Sequence, residues 1–259
     1  MNAQIKTIFI VAMQREVQPL LEECEQMTVD DFLRVQDSAN TLRHPQSVYR
    51  WENSIVVCSG PGYKNAASAA QQAIDRFSPE MMVSIGFAGA LVPGMKVGDI
   101  FVPRHIVSER TGSAFTSPRG RGSLVTADTV AGKDRKHVLF ARFRAQAVDM
   151  EAAAVAAVAA SQNCEFLALK VISDELDTGI DFIEPFIRPE GFRVGAFLAY
   201  LLVRPWLWPT VLCLRRDSCR AAENLCRAIR VFITQGSGEL DGLYGSGQVL
   251  EAELKGESN

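Results

Sequence analysis

Three acidic residues stand where an apolar run meets a turn or a helix start. Glu16 follows the apolar run that ends at Met13, Glu151 opens an alanine-rich stretch, and Asp174 closes the run Val171-Ile172-Ser173. Carboxyl groups in such places can move protons or stabilise a neighbouring positive charge. Structural roles stay open for two of them. An acid such as Glu151 at the start of a helix stabilises the helix by about 0.3–1 kcal/mol through the helix dipole. Asp174 could cap a helix or close an Asx turn.

Two glycine clusters follow predicted strands. Gly60-Pro61-Gly62 precedes a helical stretch, where backbone amides can bind an anion, although a tight strand-to-helix turn explains it equally well. A dinucleotide-binding fingerprint would need glycine at position 65, and Asn65 stands there. The second cluster, Gly86-Phe87-Ala88-Gly89, leads into Lys96-Val97-Gly98-Asp99. Its small residues would let a ligand approach the backbone.

Apolar runs typical of strands covered on both faces alternate with helical patterns. The predicted strands are Thr7–Met13, Ser54–Ser59, Met81–Gly86, Asp99–Pro103, Ser123–Thr126 and Phe166–Ser173. The predicted helices are Glu16–Met27, Lys64–Phe77, Lys133–Phe143, Met150–Ser161 and the basic, amphipathic Arg215–Ile233. This order predicts an α/β fold of three layers, a central mixed sheet flanked by helices. Ligands of such folds bind at the carboxyl ends of the strands.

Composition excludes several classes of protein. The chain has 259 residues, 27 basic and 30 acidic, so its net charge of −3 does not favour a nucleic-acid partner. Six cysteines without a CxxC pair and three scattered histidines predict neither a metal site nor a disulfide framework. We therefore expect a cytoplasmic protein without a cofactor, and the N-terminus does not resemble a signal peptide. Residues 1–233 are predicted to form one domain and 234–259 a flexible tail.

The segment Phe192–Leu214 is strongly apolar and contains Trp206 and Trp208. Two prolines and Arg204 interrupt it, so an unbroken membrane-spanning helix is not expected. Two interpretations remain. The segment could form helices that pack on the sheet or on a second subunit, as in a homodimer. It could instead contact a membrane surface, or form a slot for a lipid-linked ligand, since tryptophan beside arginine suits an interfacial site.

The motifs together resemble the nucleoside phosphorylase and nucleosidase superfamily. The resemblance rests on Gly86–Gly89 with its Lys-Val-Gly-Asp continuation, on Asp149–Ala156 and on Ile172-Ser173-Asp174, in this order. Val11–Val17 is similar to the opening of the methylthioadenosine/S-adenosylhomocysteine nucleosidases. Another branch, the hopanoid-associated phosphorylases, is thought to remove adenine from adenosylhopane. This branch is the more similar one over Ser123–Asp128, Arg188–Gly191 and Arg204–Ser218. The resemblance therefore implies a phosphorylase-like fold and release of adenine from a purine nucleoside.

The resemblance also implies roles for individual residues. Asp174 would protonate purine N7, in a dry pocket with negative charge nearby; Glu151 would bind the ribose hydroxyls, and Glu16 would orient or deprotonate water. The other residues implied in substrate binding are Met150, Phe87, Ala88, Gly89, Val130, Ala131 and Ser173.

The nucleophile is left open between water and phosphate. Phe87 stands where many phosphorylases have a hydroxyl residue that binds phosphate, and the Glu16 carboxylate would repel a phosphate dianion. Both features favour water. Arg15, Lys64 and Arg110 could nevertheless hold phosphate as a co-substrate, or could be solvated surface charges. Phosphorolysis, a methylthioadenosine/S-adenosylhomocysteine nucleosidase and a non-enzymatic nucleoside-binding module remain the alternatives.

Overall fold

The computed structural model describes residues 5–32, 45–179, 181–188 and 191–235. The first part contains β1 (Thr7–Val11), a 3₁₀ turn (Gln14–Glu16), α1 (Gln18–Leu21), β2 (Glu25–Met27), α2 (Val29–Phe32), β3 (Ser47–Trp51), β4 (Ser54–Cys58), α3 (Tyr63–Phe77) and β5 (Met81–Ala90). The middle contains β6 (Ile100–Phe101), β7 (His105–Ser108), β8 (Ala114–Thr116), β9 (Ser123–Thr126), α4 (Lys133–Phe143), β10 (Ala147–Asp149), α5 (Ala152–Ser161) and β11 (Glu165–Asp174). The last part contains a 3₁₀ helix (Asp181–Phe186), β12 (Ile187–Arg188), β13 (Gly191–Phe192), α6 (Val194–Leu202), a 3₁₀ turn (Pro205–Leu207) and α7 (Trp208–Gln235).

Strands β1 to β11 form one mixed sheet, in the order β2-β3-β4-β1-β5-β10-β9-β7-β8, with β11 pairing to β5 and β6. The long strand β5 is its centre. Its first half lies between β1 and β11, both parallel to it, and its last two residues pair antiparallel with β10. The carboxyl ends of β1, β5 and β11 therefore meet at one edge.

The apolar core lies on both faces of this sheet. The small residues of α3 and α5 pack on one face with Ile8, Ile10 and Met82. Residues of α1 and α7 pack on the other with Phe9, Val83 and Leu167. The alternation of strand side chains between the two faces explains this division. The predicted fold class, an α/β fold with a central mixed sheet flanked by helices, is confirmed by this arrangement.

The predicted helix Glu16–Met27 is wrong. Its residues form the 3₁₀ turn Gln14–Glu16, the short helix α1 and the edge strand β2. β2 pairs antiparallel with β3, a strand that the sequence analysis missed, and this pairing overrides the local helical pattern.

Other boundaries differ by a few residues. The predicted helix Met150–Ser161 begins at Ala152, because the carboxylate of Asp149 accepts the N–H of Ala152 at 2.8 Å. The apolar segment is divided between α6 and the first two turns of α7, and α7 begins at Trp208 rather than Arg215, with Pro209 in its first turn. A proline there costs no helical hydrogen bond. Most of the predicted tail, from residue 236 onward, lies outside the described residues.

Candidate active site

A cavity of about 190 Å³ lies at the edge where β1, β5 and β11 end. Ten residues singled out in the sequence line it, namely Glu16, Phe87, Ala88, Gly89, Val130, Ala131, Met150, Glu151, Ser173 and Asp174. Further lining residues come from positions to which the sequence analysis gave no catalytic or substrate-binding role, including Ala12, Met13, Pro61, Thr129, Val148, Asp149, Leu214 and Ser218. The fold thus gathers residues from the whole length of the described chain around one small space.

Glu16 is held at this edge by the 3₁₀ turn after β1. Its side chain is buried, and the N–H of Phe87 donates a hydrogen bond to its carboxyl group. Gly86 makes this approach possible: a Cβ there would lie 2.6 Å from Oε2 of Glu16, and the backbone φ of +134° also favours glycine. Burial, together with the charge of Glu151, raises the pKa of Glu16 to about 8, although Arg15 and Lys170 oppose the shift. The Glu16 carboxyl group can therefore gain or lose a proton near neutral pH.

Glu151 occupies the turn before α5. The N–H of Gly62 donates to its Oε1 at 2.7 Å, so the first glycine cluster binds a carboxylate of the chain itself. Burial and the charge of Asp149 raise the pKa of Glu151 to about 7, while Lys170 and the N–H groups of Gly62 and Met150 lower it. Glu16 and Glu151 thus compete for protons in one small space.

Beneath these two acids lies a buried ion pair that the sequence analysis missed. Lys170 of β11 reaches Asp149 Oδ2 at 2.9 Å and donates to the Ser84 hydroxyl at 3.0 Å. Asp149 Oδ1 accepts a further hydrogen bond from Thr126 at 2.6 Å. The available signal was a lysine inside an otherwise apolar strand, since a buried lysine requires a partner.

Asp174 lies at the other end of the cavity, at the last residue of β11. The Ser173 hydroxyl donates to its Oδ1 at 2.7 Å, and the ammonium of the buried Lys136 contacts its Oδ2. We expected negative charge near Asp174, and this expectation is wrong, because its charged partner is a lysine from α4. Gly89 keeps this end open, since a Cβ there would lie 2.9 Å from Asp174 Oδ2.

The two ends of the cavity therefore differ in charge. The end of Glu16 carries three carboxyl groups, with Asp149 and Glu151, against buried Lys170 and the exposed Arg15. The end of Asp174 carries one carboxyl group and one lysine. Gly86 and Gly89, which touch Glu16 and Asp174, are three residues apart on β5, about 10 Å in an extended strand. The cavity thus has an acid-rich end and a balanced end.

The three basic residues considered as phosphate contacts do not converge on the cavity. Arg15 lines it, but Lys64 and Arg110 are not part of its wall. Arg110 pairs with Asp128 at 2.8 Å and lies over the Tyr63 ring. Phe87 does line the cavity, and its side chain offers no hydrogen-bond donor.

The C-terminal apolar segment reaches the same cavity. Leu214 and Ser218 of α7 form part of the cavity wall. Around the start of α7, five large apolar side chains are exposed to solvent. They are Leu202, Val203, Trp206, Trp208 and Leu212, which we call the apolar patch.

In the described part of the chain no single helix is long and apolar enough to cross a membrane. The helices Gly195–Leu202 and Pro205–Thr234 are long and apolar enough only when taken together, and they are bent by 111°. The described residues also contain no group of three or more histidine, cysteine, aspartate or glutamate residues that could hold a metal ion.

Comparisons with known proteins agree with this geometry. The family model of the phosphorylase superfamily matches residues 6–121 and 118–187. An aminodeoxyfutalosine nucleosidase of Helicobacter pylori is 27% identical over 222 residues, which cover 72% of this chain and 94% of that protein. A 5′-methylthioadenosine/S-adenosylhomocysteine nucleosidase of Staphylococcus epidermidis is 25% identical over 199 residues, 64% of this chain and 84% of that protein.

Solved structures share the fold. The 5′-methylthioadenosine nucleosidase of Arabidopsis thaliana superimposes with a TM-score of 0.67 at 19% identity, covering 90% of this chain and 96% of that one. A Colwellia psychrerythraea nucleosidase for methylthioadenosine and S-adenosylhomocysteine, in complex with adenine, gives a TM-score of 0.56 at 22% identity, with coverage of 68% and 85%.

Proposed function

The chain belongs to the phosphorylase superfamily, and on that premise we propose that it is a purine nucleosidase that releases adenine by hydrolysis of the N-glycosidic bond. The observation that carries this proposal is the cavity with an acid-rich end and a balanced end. Relatives of two kinds, both named as nucleosidases, support the same reaction class. No cofactor is part of the proposed chemistry.

The charge distribution fits the transition state of this reaction. Breaking the bond between ribose and purine leaves positive charge on the sugar and negative charge on the base. We place the ribose against Glu151 and Met150, where the acid-rich end favours the cationic sugar. We place the base towards Val130 and Ala131, with N7 next to Asp174 as general acid. In this pose the substrate spans the cavity between its two ends.

Water is the nucleophile that the site favours. The Glu16 carboxyl group, with a pKa raised to about 8 by burial and by Glu151, can orient a water molecule and accept its proton. Phe87 offers no hydroxyl to phosphate, and Arg110 is already paired with Asp128. Near pH 8, where Glu151 and much of Glu16 are ionised, their charges would also repel a phosphate dianion. Phosphorolysis remains the alternative, and Arg15 is the cation of the cavity wall that would serve it.

The substrate class that we propose is a lipid-linked adenine nucleoside such as adenosylhopane. Leu214 connects the cavity to the start of α7, and the apolar patch lies exposed just beyond it. An exposed patch with two tryptophans would favour aggregation unless it has a partner. We propose that it contacts the surface of the membrane in which such a substrate is dissolved, so that the protein is cytoplasmic and peripheral to the membrane. Packing between two copies as a homodimer, with a small 5′-substituent on the nucleoside, is the alternative.

A panel of 5′-substituted adenosines tests this proposal. The specificity constant for adenine release should rise steeply from methylthioadenosine through longer alkyl substituents to adenosylhopane, since each buried methylene contributes about 0.8 kcal/mol. Replacing both Trp206 and Trp208 by serine should lower this constant for the long substituents by about tenfold or more and leave methylthioadenosine nearly unchanged.

The matched control is Val138→Ser, which removes an exposed apolar side chain of α4 outside the patch. Equal specificity constants for all substituents would indicate that the patch packs against a second subunit. They would also favour a methylthioadenosine/S-adenosylhomocysteine nucleosidase. Binding of nucleosides without any release of adenine would instead indicate a nucleoside-binding module.

A further inference from the structure

Lys136 is a fully buried lysine for which the proposed reaction has no role so far. It lies in the first turn of α4 with no exposed surface. Its ammonium contacts Asp174 Oδ2 and donates to the carbonyl oxygen of Glu175 at 2.6 Å. Charged side chains are seldom buried unless they are paired. Both partners of this lysine belong to the end of β11, so its burial is tied to Asp174.

The carboxyl group of Asp174 is held from two sides. The Ser173 hydroxyl donates to Oδ1 at 2.7 Å, and Lys136 occupies Oδ2. Gly89 leaves the necessary space, because a Cβ there would lie 2.9 Å from Asp174 Oδ2 and 3.3 Å from Cε of Lys136. The lysine and the carboxyl group are therefore packed as one unit against the wall of the cavity.

Other charged groups near this unit already have partners at the surface. Asp177, whose charge interacts with those of Lys136 and His137, pairs with Lys133 at 2.9 Å. The Glu175 side chain pairs with Lys96 at 2.8 Å. Within the described ranges, Lys136 is the one cation that forms an ion pair with Asp174.

We propose that Lys136 is a positioning residue that stores the proton which Asp174 delivers to the departing base. This inference rests on the proposed function. As the bond between C1′ and N9 breaks, its electron pair moves to the purine, Asp174 gives a proton to N7, and the Lys136 ammonium gives one to Asp174. Adenine leaves neutral, Asp174 keeps its original charge, and solvent reprotonates the neutral lysine. The water that attacks C1′ passes its proton to Glu16, so one water is added across the bond.

Two substrates with different leaving groups test this role. Adenine needs a proton to leave, whereas the 4-nitrophenolate of 4-nitrophenyl β-D-riboside does not. Lys136→Met should lower kcat for adenine release from adenosine about 10- to 100-fold at about pH 8, with a smaller loss near pH 6, where protons from solvent are more abundant. Its kcat for the nitrophenyl riboside should stay within about twofold of the parent. Lys136→Arg keeps the charge but its guanidinium cannot give up a proton, so it should not restore the rate with adenosine, and a restored rate would overturn the proton-storing role.

The matched control is Lys133→Met, the same substitution one turn earlier on α4, at a surface pair. It should leave both rates and the pH profile unchanged. An equal loss on both substrates in a folded Lys136→Met protein, or no loss on either, would overturn the proposal.

Binding of the free base gives a readout that does not depend on turnover. The parent should bind adenine at least about tenfold more tightly than 7-deazaadenine, which has no acceptor at position 7. Lys136→Met, or Lys136→Gln if the first variant does not fold, should lose most of this preference. A parent that cleaves no nucleoside would refute the proposed function; if it still prefers adenine and the Lys136 variant loses that preference, the contact of Lys136 and Asp174 with N7 stands without the reaction. A preference that is absent from the parent, or unchanged in the variant, would refute the role of Lys136.

Discussion

The two ends of the active-site cavity differ in how many carboxyl groups share one buried lysine. At one end, Glu16, Asp149 and Glu151 surround the single buried lysine Lys170, and the pKa values of Glu16 and Glu151 are raised to about 8 and about 7 by burial and by neighbouring acids. At the other end, Lys136 is the one cation among the described residues that forms an ion pair with Asp174. Near pH 8, where Glu151 and much of Glu16 are ionised, the difference places surplus negative charge at one end, and Lys136 places a proton at the other. A nucleosidase needs this polarity, since the sugar becomes positive and the base negative.

The largest expected effect comes from replacing Asp174, the carboxyl group of the balanced end. Asp174→Asn keeps the size of the side chain but cannot transfer a proton, so kcat for adenine release should fall by about 10²–10⁴-fold. The rate of adenine release measures the effect, and a thermal melt of each protein shows whether it is folded. Asp177→Asn is the control, because Asp177 is an exposed carboxylate just after the same strand and pairs with Lys133. A folded Asp174→Asn protein with a nearly normal rate would remove Asp174 from the mechanism.

A smaller, pH-dependent effect comes from the acid-rich end. Because the pKa of Glu16 is raised to about 8 by burial and by Glu151, only about a tenth of this carboxyl group is ionised at about pH 7. The rate of the parent should therefore rise with pH up to about 8, as more of the base becomes available. Glu16→Gln should lose about 10²-fold at about pH 8 and show no such rise. If the rate of the variant rose with pH as the rate of the parent does, another group would be the base.

The smallest effect concerns stability and uses the same variant. The folded protein keeps the Glu16 proton up to a pKa of about 8, whereas an unfolded chain releases it near the ordinary value of 4.5. This group therefore contributes full stability below about pH 4.5, and the contribution is lost as the pH rises towards 8. One pKa unit corresponds to about 1.4 kcal/mol, so even part of the shift would be measurable. In thermal melts the advantage of Glu16→Gln over the parent should grow by several degrees between about pH 5 and about pH 8. A constant difference would mean that Glu16 is not buried as described.

The contrast between the two ends also shows what the sequence could reveal. The apolar runs that end at Met13 and Ser173 indicated buried strands, and Asp174 was found at the carboxyl end of the second. The role of Glu16 was implied by the resemblance of Val11–Val17 to the nucleosidases. Neither lysine could be found in the same way. Lys136 lies in the polar run Lys133–His137, where nothing distinguishes a buried lysine from an exposed one. Lys170 carried a signal, a charge within an apolar strand, but its partner Asp149 depends on the pairing of strands distant in sequence.

The edge of the sheet was missed for a related reason. The strands β2, β3, β7 and β8 are short and partly polar, and each exists because a neighbouring strand supplies its hydrogen bonds. Local propensity does not contain that information. The helical pattern predicted for Glu16–Met27 was therefore overridden by pairing with β3, which lies far away in sequence.

The central claim is that water, not phosphate, attacks the sugar. The direct measurement is adenine release from a 5′-substituted adenosine with and without inorganic phosphate, with identification of the sugar product by mass spectrometry. The account predicts a rate that does not respond to phosphate and a free ribose that carries the 5′-substituent, because Phe87 and the acid-rich end exclude the dianion. A rate that rises with phosphate and a ribose 1-phosphate product would contradict it and would assign Arg15 to phosphate binding.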